Sequence, residues 1–317
     1  MLDVVALGEL LIDFTCQSVD GDGYPTMAAH PGGAPANFLA ALTKYGVETA
    51  LMGKVGVDAF GKMLVSTLEK AGIETRGIVV DRNAFTTLAF VTLDETGNRE
   101  FSFARKPGAD TQLRFEDLDL SLIDEAKVFH FGTLSLTDEP ARSATYQAVA
   151  YAKSKGKLIT YDPNLRKPLW RSMEDSKEQL LRGLRQADIV KISDEEVEFL
   201  FGCSPEEGAR ILLEQFGVSL AMVTLGPKGA FLKNRSGACY VSSPKVHAVD
   251  TTGAGDIFGG SAVSRILAMG VHPAELTVEQ IGDIGYFAAT AASLSTQVAG
   301  GIPSIPEMGE VAACRTV

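Results

Sequence analysis

Residues 250–262 read Asp-Thr-Thr-Gly-Ala-Gly-Asp-Ile-Phe-Gly-Gly-Ser-Ala, an order that poses a chemical question. Gly253, Ala254 and Gly255 leave backbone N–H groups uncovered where an apolar helix is expected to begin. A helix start carries unpaired donors and the positive end of the helix dipole, so it attracts phosphate or any developing anion. Asp256 adds a carboxylate to that place. A carboxylate there repels phosphate unless it has a task, and a general base for a hydroxyl that attacks phosphorus has one. The segment also suits a tight turn with an acidic first-turn residue favoured by the dipole. Two familiar glycine loops fail on spacing: Phe258 stands where a dinucleotide fingerprint needs glycine, and Ser261 where a P-loop needs lysine.

Other residues could serve the same chemistry. Asp13 ends a strand-like run, where burial without a partner is costly. Pro31 to Asn37 follows, with Gly32 and Gly33 permitting close backbone approach and Asn37 offering both donor and acceptor. Asp13 and Asn37 together suit a polyol; an ordinary loop and helix N-cap at Asn37 fit equally well. Arg105 follows a strand, and Arg166 lies in the polar turn Asp162-Pro163-Asn164-Leu165-Arg166. Either guanidinium could meet sugar oxygens or a moving phosphoryl group. Lys191 stands at a strand end, and Thr224, Gly226 and Gly229 belong to a strand and its glycine-rich turn, suited to nucleotide phosphates or ribose. Asp194-Glu195-Glu196 is expected to cap a helix, with Glu196 able to order waters around magnesium.

These residues need a frame. A chain of 317 residues can bury one large core, and its 45% apolar and 22% charged content is that of an ordinary globular enzyme. A net charge of −11 argues against a nucleic-acid surface, though not against a nucleotide in a locally positive site. No apolar run reaches membrane-span length, and the N-terminus lacks the basic region of a signal peptide. Cys16, Cys203, Cys239 and Cys314 are scattered, which predicts free thiols in a reducing cytoplasm.

Strands are expected at 4–8, 10–14, 49–53, 128–132, 157–162, 188–192 and 220–225. Helices are expected at 37–45, 58–71, 139–155, 174–186, 194–201, 253–269 and 277–295. Segments 86–93 and 99–104, joined by Asp-Glu-Thr-Gly-Asn, predict a β-hairpin within an accessory sheet, and a second hairpin spans 229–242. Strands alternating with helices imply a mostly parallel sheet covered on both faces.

With these pieces placed, the chain resembles the ribokinase (PfkB) family of carbohydrate kinases from about Val4 to Pro306. Gly32 to Asn37, with Gly53-Lys54-Val55-Gly56-Val57-Asp58-Ala59-Phe60-Gly61, matches the family's first signature, and Asp250 to Gly260 the second. Gly8 to Phe14, Pro31 to Asn37, Asp162 to Trp170 and Lys191-Ile192-Ser193 are similar to its fructokinase branch. The resemblance implies an α/β three-layer sandwich over residues 1–317, with a mostly parallel sheet and a small β-sheet lid from roughly 14–31 and 85–108. It implies ATP-dependent phosphorylation of fructose to fructose 6-phosphate, with 2-keto-3-deoxygluconate as the nearest alternative substrate. Asp256 would be the base, and the amides of Gly253, Ala254, Gly255 and Asp256 the anion hole. Asp13, Gly32, Gly33, Asn37 and Arg105 would hold the sugar, with Arg166 near sugar or phosphate. Lys191, Thr224, Gly226 and Gly229 would line the nucleotide pocket. Magnesium would accompany ATP, and potassium would sit at Asp250, Thr252, Ser295, Val298, Gly300 and Ser304. A homodimer without nucleic-acid or membrane partners is the expected assembly. Ser193 departs from the family's Asn-x-x-Glu pattern near magnesium.

Overall fold

In β1 (Val4–Leu7) all four residues are apolar and buried. Val5 and Leu7 enter one core with Phe129, Leu180 and Val197, whereas Val4 and Ala6 enter another with Leu39, Leu42 and Leu64. A strand buried on both faces requires a helix layer on each side. The computed structural model describes residues 2–93 and 99–314 and has that architecture.

After β1 come β2 (Leu11–Val19), β3 (Pro25–Gly32), α1 (Ala34–Lys44), β4 (Thr49–Gly56), α2 (Ala59–Lys70) and β5 (Ile78–Asp81). Next are β6 (Thr87–Leu93), β7 (Arg99–Ala104), α3 (Leu120–Glu125), β8 (Val128–Gly132), α4 (Ala141–Ser154) and β9 (Leu158–Asp162). They are followed by α5 (Met173–Leu184), β10 (Ile189–Ser193), α6 (Asp194–Phe201), α7 (Pro205–Phe216) and β11 (Leu220–Thr224). The chain continues through β12 (Ala230–Asn234), β13 (Gly237–Val241), α8 (Ala254–Met269), α9 (Val278–Ser295) and α10 (Met308–Ala313).

The large sheet runs β13-β12-β11-β10-β9-β8-β1-β4-β5, parallel from β11 to β5 and antiparallel at β12 and β13. Apolar residues of α3 to α7 fill one face, and those of α1, α2, α8 and α9 the other. From β1 the chain goes to β4 on one side and later to β8 on the other, so strand order reverses there. Such a switch point opens a crevice at the carboxyl ends of the strands. A separate sheet, β3-β2-β6-β7, is entered three residues after β1 ends. Asp58 joins the two regions: it caps α2 by accepting from the Gly61 amide at 2.8 Å, and also accepts from the Thr86 amide and hydroxyl.

The expected alternation and both hairpin pairings are present; the 94–98 turn lies outside the described residues. Two expectations shift. The run at 10–14 continues to Val19 because β2 leaves the core and pairs with β3 and β6. Helix α1 starts at Ala34, since Pro35 suits a first helical turn. Helix α7 and the short elements β3, β5, α3 and α10 were not read from sequence. Among the described residues no helix is long and apolar enough to cross a membrane.

Candidate active site

Helix α8 begins without a side-chain cap. Gly253 takes the cap position at φ 77°, a conformation costly for residues with a Cβ. Ala254 donates to the Thr251 carbonyl at 3.3 Å, whereas the amides of Gly255 and Asp256 meet no acceptor among the described residues. Asp256 follows in the first turn, only 9% exposed. Its carboxylate accepts from Asn37 Nδ2 at 2.9 Å. Burial pushes its pKa up, Asp13 adds to that, and Lys191, the Asn37 bond and Arg166 oppose it. The Asn37 contact depends on helix packing: at Gly260 there is no Cβ, so the Phe38 backbone of α1 packs against α8. Asn37 is therefore inside α1 and faces the site; Gly33 is the N-cap.

Asp13 lies on β2 with its carboxylate against Gly32, where a Cβ would overlap it. Burial raises its pKa to about 6, with Arg166 lowering and Asp250 raising it. Gly33 turns the chain into α1 over the Glu9 carbonyl. Arg166 follows β9 in a turn where Asn164 adopts φ 42°, a left-handed geometry that asparagine tolerates. Asp162, the last residue of β9, pairs with Lys191 of the adjacent β10, Nζ lying 3.0 and 3.2 Å from its two oxygens. Burial pushes Asp162 up to about 6, and Lys191 counters this. A methyl group on Gly255 would sit 2.8 Å from Lys191 Nζ, so the ammonium lies against the start of α8.

One strand over, Thr224 ends β11, pairs with Ser193, and donates its hydroxyl to the Ile192 carbonyl at 3.4 Å. Gly226 and Gly229 bracket the turn into β12. Glu196 caps α6: one oxygen accepts from the Ser193 amide at 2.9 Å and the other from Leu165 at 2.6 Å. Asp250 accepts from the Thr252 amide and hydroxyl through one oxygen and from the Gly300 amide at 2.9 Å through the other. It thereby ties the segment before α8 to the one after α9. Ser295 and Ser304 donate their hydroxyls to the Ala292 and Gly301 carbonyls, and Val298 is half exposed.

Arg105 is held by partners within the protein. It is buried, donating to Asp110 through Nε and Nη2, to Thr137 through Nη1 and to the Leu134 carbonyl. Thr87 at the start of β6 donates to the other Asp110 oxygen at 2.5 Å. A guanidinium engaged in this way joins the small sheet to the body. Glu9 and Asp110 were not singled out from the sequence. Glu9 is buried, accepts from the Ala34 amide at 2.9 Å, and has its pKa raised to about 7 by burial. A buried acid beside Gly8 in a loop leaving a core strand was the available signal. The Asp162–Lys191 pair was also missed, because its members are 29 positions apart and meet only when β9 and β10 align.

The chain matches the pfkB family of carbohydrate kinases over residues 1–308. It belongs to that family. It is 43% identical to Fructokinase-1 of Zea mays across 97% of this chain and 96% of the relative. Among solved structures it is similar to a fructokinase with bound ATP from Xylella fastidiosa, with TM-score 0.90, 30% identity, and coverage of 99% and 98%. It is also similar to a Vibrio cholerae O395 fructokinase in a fructose-, ADP- and calcium-bound form, with TM-score 0.85, 32% identity, and 98% of each chain covered. As a member of that family the chain is a carbohydrate kinase.

Proposed function

We propose that this chain transfers the γ-phosphoryl group of ATP to the primary 6-hydroxyl of D-fructose. The observation that carries the reading is Asp256 held by Asn37 beside the open amides of Gly255 and Asp256. Asp256 takes the hydroxyl proton as oxygen attacks phosphorus, and those amides stabilise charge on the phosphoryl oxygens. Asp13, Asn37 and the backbone at Gly32 and Gly33 orient the sugar. Thr224, Gly226 and Gly229 border the nucleotide. The ATP-bound and the fructose- and ADP-bound relatives support both ligands.

Among the described residues no group of three or more His, Cys, Asp or Glu could cage a metal ion. Magnesium would be carried on the nucleotide phosphates with its own waters, with Glu196 the nearby outer carboxylate. When bound, the ion neutralises phosphate charge. A potassium ion would be held by the carbonyls of the 250–252 and 295–304 segments that Asp250 joins. Four unpaired cysteines fit a reducing cytoplasm.

The small sheet is assigned as a lid over the sugar. Fructose should slow amide exchange in β6 and β7, and unchanged exchange at saturating sugar would remove the assignment. An acidic sugar such as 2-keto-3-deoxygluconate would need cations to offset Asp13. Arg166 faces Asp13, but Arg105 is held by Asp110, which favours the uncharged sugar. A coupled assay of ADP release should give fructose a higher kcat/KM than 2-keto-3-deoxygluconate, ribose or glucose. If the keto acid leads, the substrate assignment falls; if no sugar is phosphorylated, the whole reading falls.

A further inference from the structure

Lys191 presents an electrostatic conflict. Its ammonium lies against Gly255, at the positive end of α8 and beside two open amides. Cations are unfavourable at helix amino ends, and a buried ammonium needs a partner. An ion pair that served only stability would sit better almost anywhere else. The arrangement makes sense if an anion occupies the space that ammonium and amides face together, and a transferring phosphoryl group is that anion in the proposed reaction.

The ammonium is held there from behind. Both Asp162 oxygens contact Nζ at 3.0 and 3.2 Å, and the pair is buried. The other groups facing Lys191 are committed elsewhere. Glu196 accepts from the Ser193 and Leu165 amides, and Asp256 accepts from Asn37. His130 bonds Thr160 at 2.9 Å, and burial, helped by Lys191, lowers its pKa to about 3, so it is a neutral neighbour. The adjoining cavity, lined by Phe38, His130 and Thr160, holds about 10 Å³, no more than one water. Lys191 therefore has no aqueous retreat on that side. Without the Asp162 charge, the ammonium is left to the Glu196 and Asp256 carboxylates, the second of which is the base itself.

We propose that Asp162 is a positioning residue for phosphoryl transfer: it holds the Lys191 ammonium beneath the amino end of α8 and away from Asp256. Ammonium and amides then form one surface for the transferring phosphoryl oxygens, while the base stays free to take a proton. The inference rests on the sugar-kinase reading above.

The test compares Asp162→Asn, Lys191→Met and the double variant. Wild-type enzyme is first assayed on the sugar panel, so that failure of the kinase reading is seen separately. For each protein kcat and KM are measured, together with the affinity for ADP alone and for ADP with fructose and aluminium fluoride, a mimic of the moving phosphoryl group. Asp162→Asn should lower kcat about 100-fold, the scale for losing one transition-state donor, with both KM values and the ADP affinity within about threefold. The tightening produced by aluminium fluoride should disappear. The double variant replaces a buried pair by two neutral side chains, so it remains informative even if a single variant does not fold. Its kcat should match that of Lys191→Met. A structural pair would behave differently: the double variant would regain wild-type turnover, or Asp162→Asn would keep full kcat and the aluminium fluoride effect. Either result overturns the proposal.

Discussion

Two clusters of buried charge lie in this molecule, and their difference separates a joint from a site. At the base of the small sheet, Arg105, Asp110, Thr87 and Thr137 bond one another, and their side chains include no buried polar atom without a partner. At the carboxyl ends of the large sheet, Asp13, Asp162, Asp256, Lys191 and Arg166 converge with capacity left over. Among the described residues, Asn37 Oδ1 is buried without a partner, and the Gly255 and Asp256 amides meet no acceptor. Both clusters bear the cost of desolvating ions. The first recovers it through internal bonds and fastens two sheets together. The second recovers it in part, and what remains unmet is complementary to an anion and a polyol.

The sharpest break of this contrast is Asp256→Asn. The amide keeps the shape of the site but cannot accept the proton, so turnover should fall by about two to four orders of magnitude while ATP affinity changes little. Steady-state kinetics with calorimetric ATP titration checks this, and near-normal turnover would free Asp256 from the role. Arg105→Met probes the other cluster. It strands Asp110 in the interior and should cost about 3–5 kcal/mol of stability, read from the denaturant midpoint, with the fructose KM of folded enzyme nearly unchanged. A stable variant with a raised fructose KM would return Arg105 to the sugar site.

The smallest effect is on pH. Burial raises Glu9 to about 7 and Asp13 and Asp162 to about 6. Between the ordinary carboxylate range and these values the folded chain binds protons that the unfolded chain has released, so stability declines as pH rises through 6–7. Asp58, Asp81 and Asp117 are shifted the other way and stay ionised across this window, while His130, kept neutral by burial, opposes the trend in part by losing stability as pH falls below its ordinary value. The ligand-free Tm should therefore be higher near pH 5.5 than near pH 8, by about 2–4 °C. Glu9→Gln, at the edge of the joint, should flatten only the upper part of that slope. A Tm that rises toward pH 8 would show that these acids are not buried as described.

The sequence by itself determined the alternation of strands and helices, because periodicity and glycine stops are local properties. It also located the start of α8, since Gly253, Gly255 and Asp256 carry their chemistry within four positions. Asp13 and Asn37 were legible as polar residues in apolar surroundings. Tertiary structure alone decided what those groups touch. Asn37 reaches Asp256 across 219 positions because Gly260 lets α1 and α8 pack closely. Arg105 reads in sequence as one more strand-end cation, yet Asp110, Thr137 and the Leu134 carbonyl claim it. Lys191 meets Asp162 only through the alignment of β9 with β10. Pairing between distant charges depends on register and helix packing, which no local pattern encodes, so the chain announced its chemistry but not the partners that tune it.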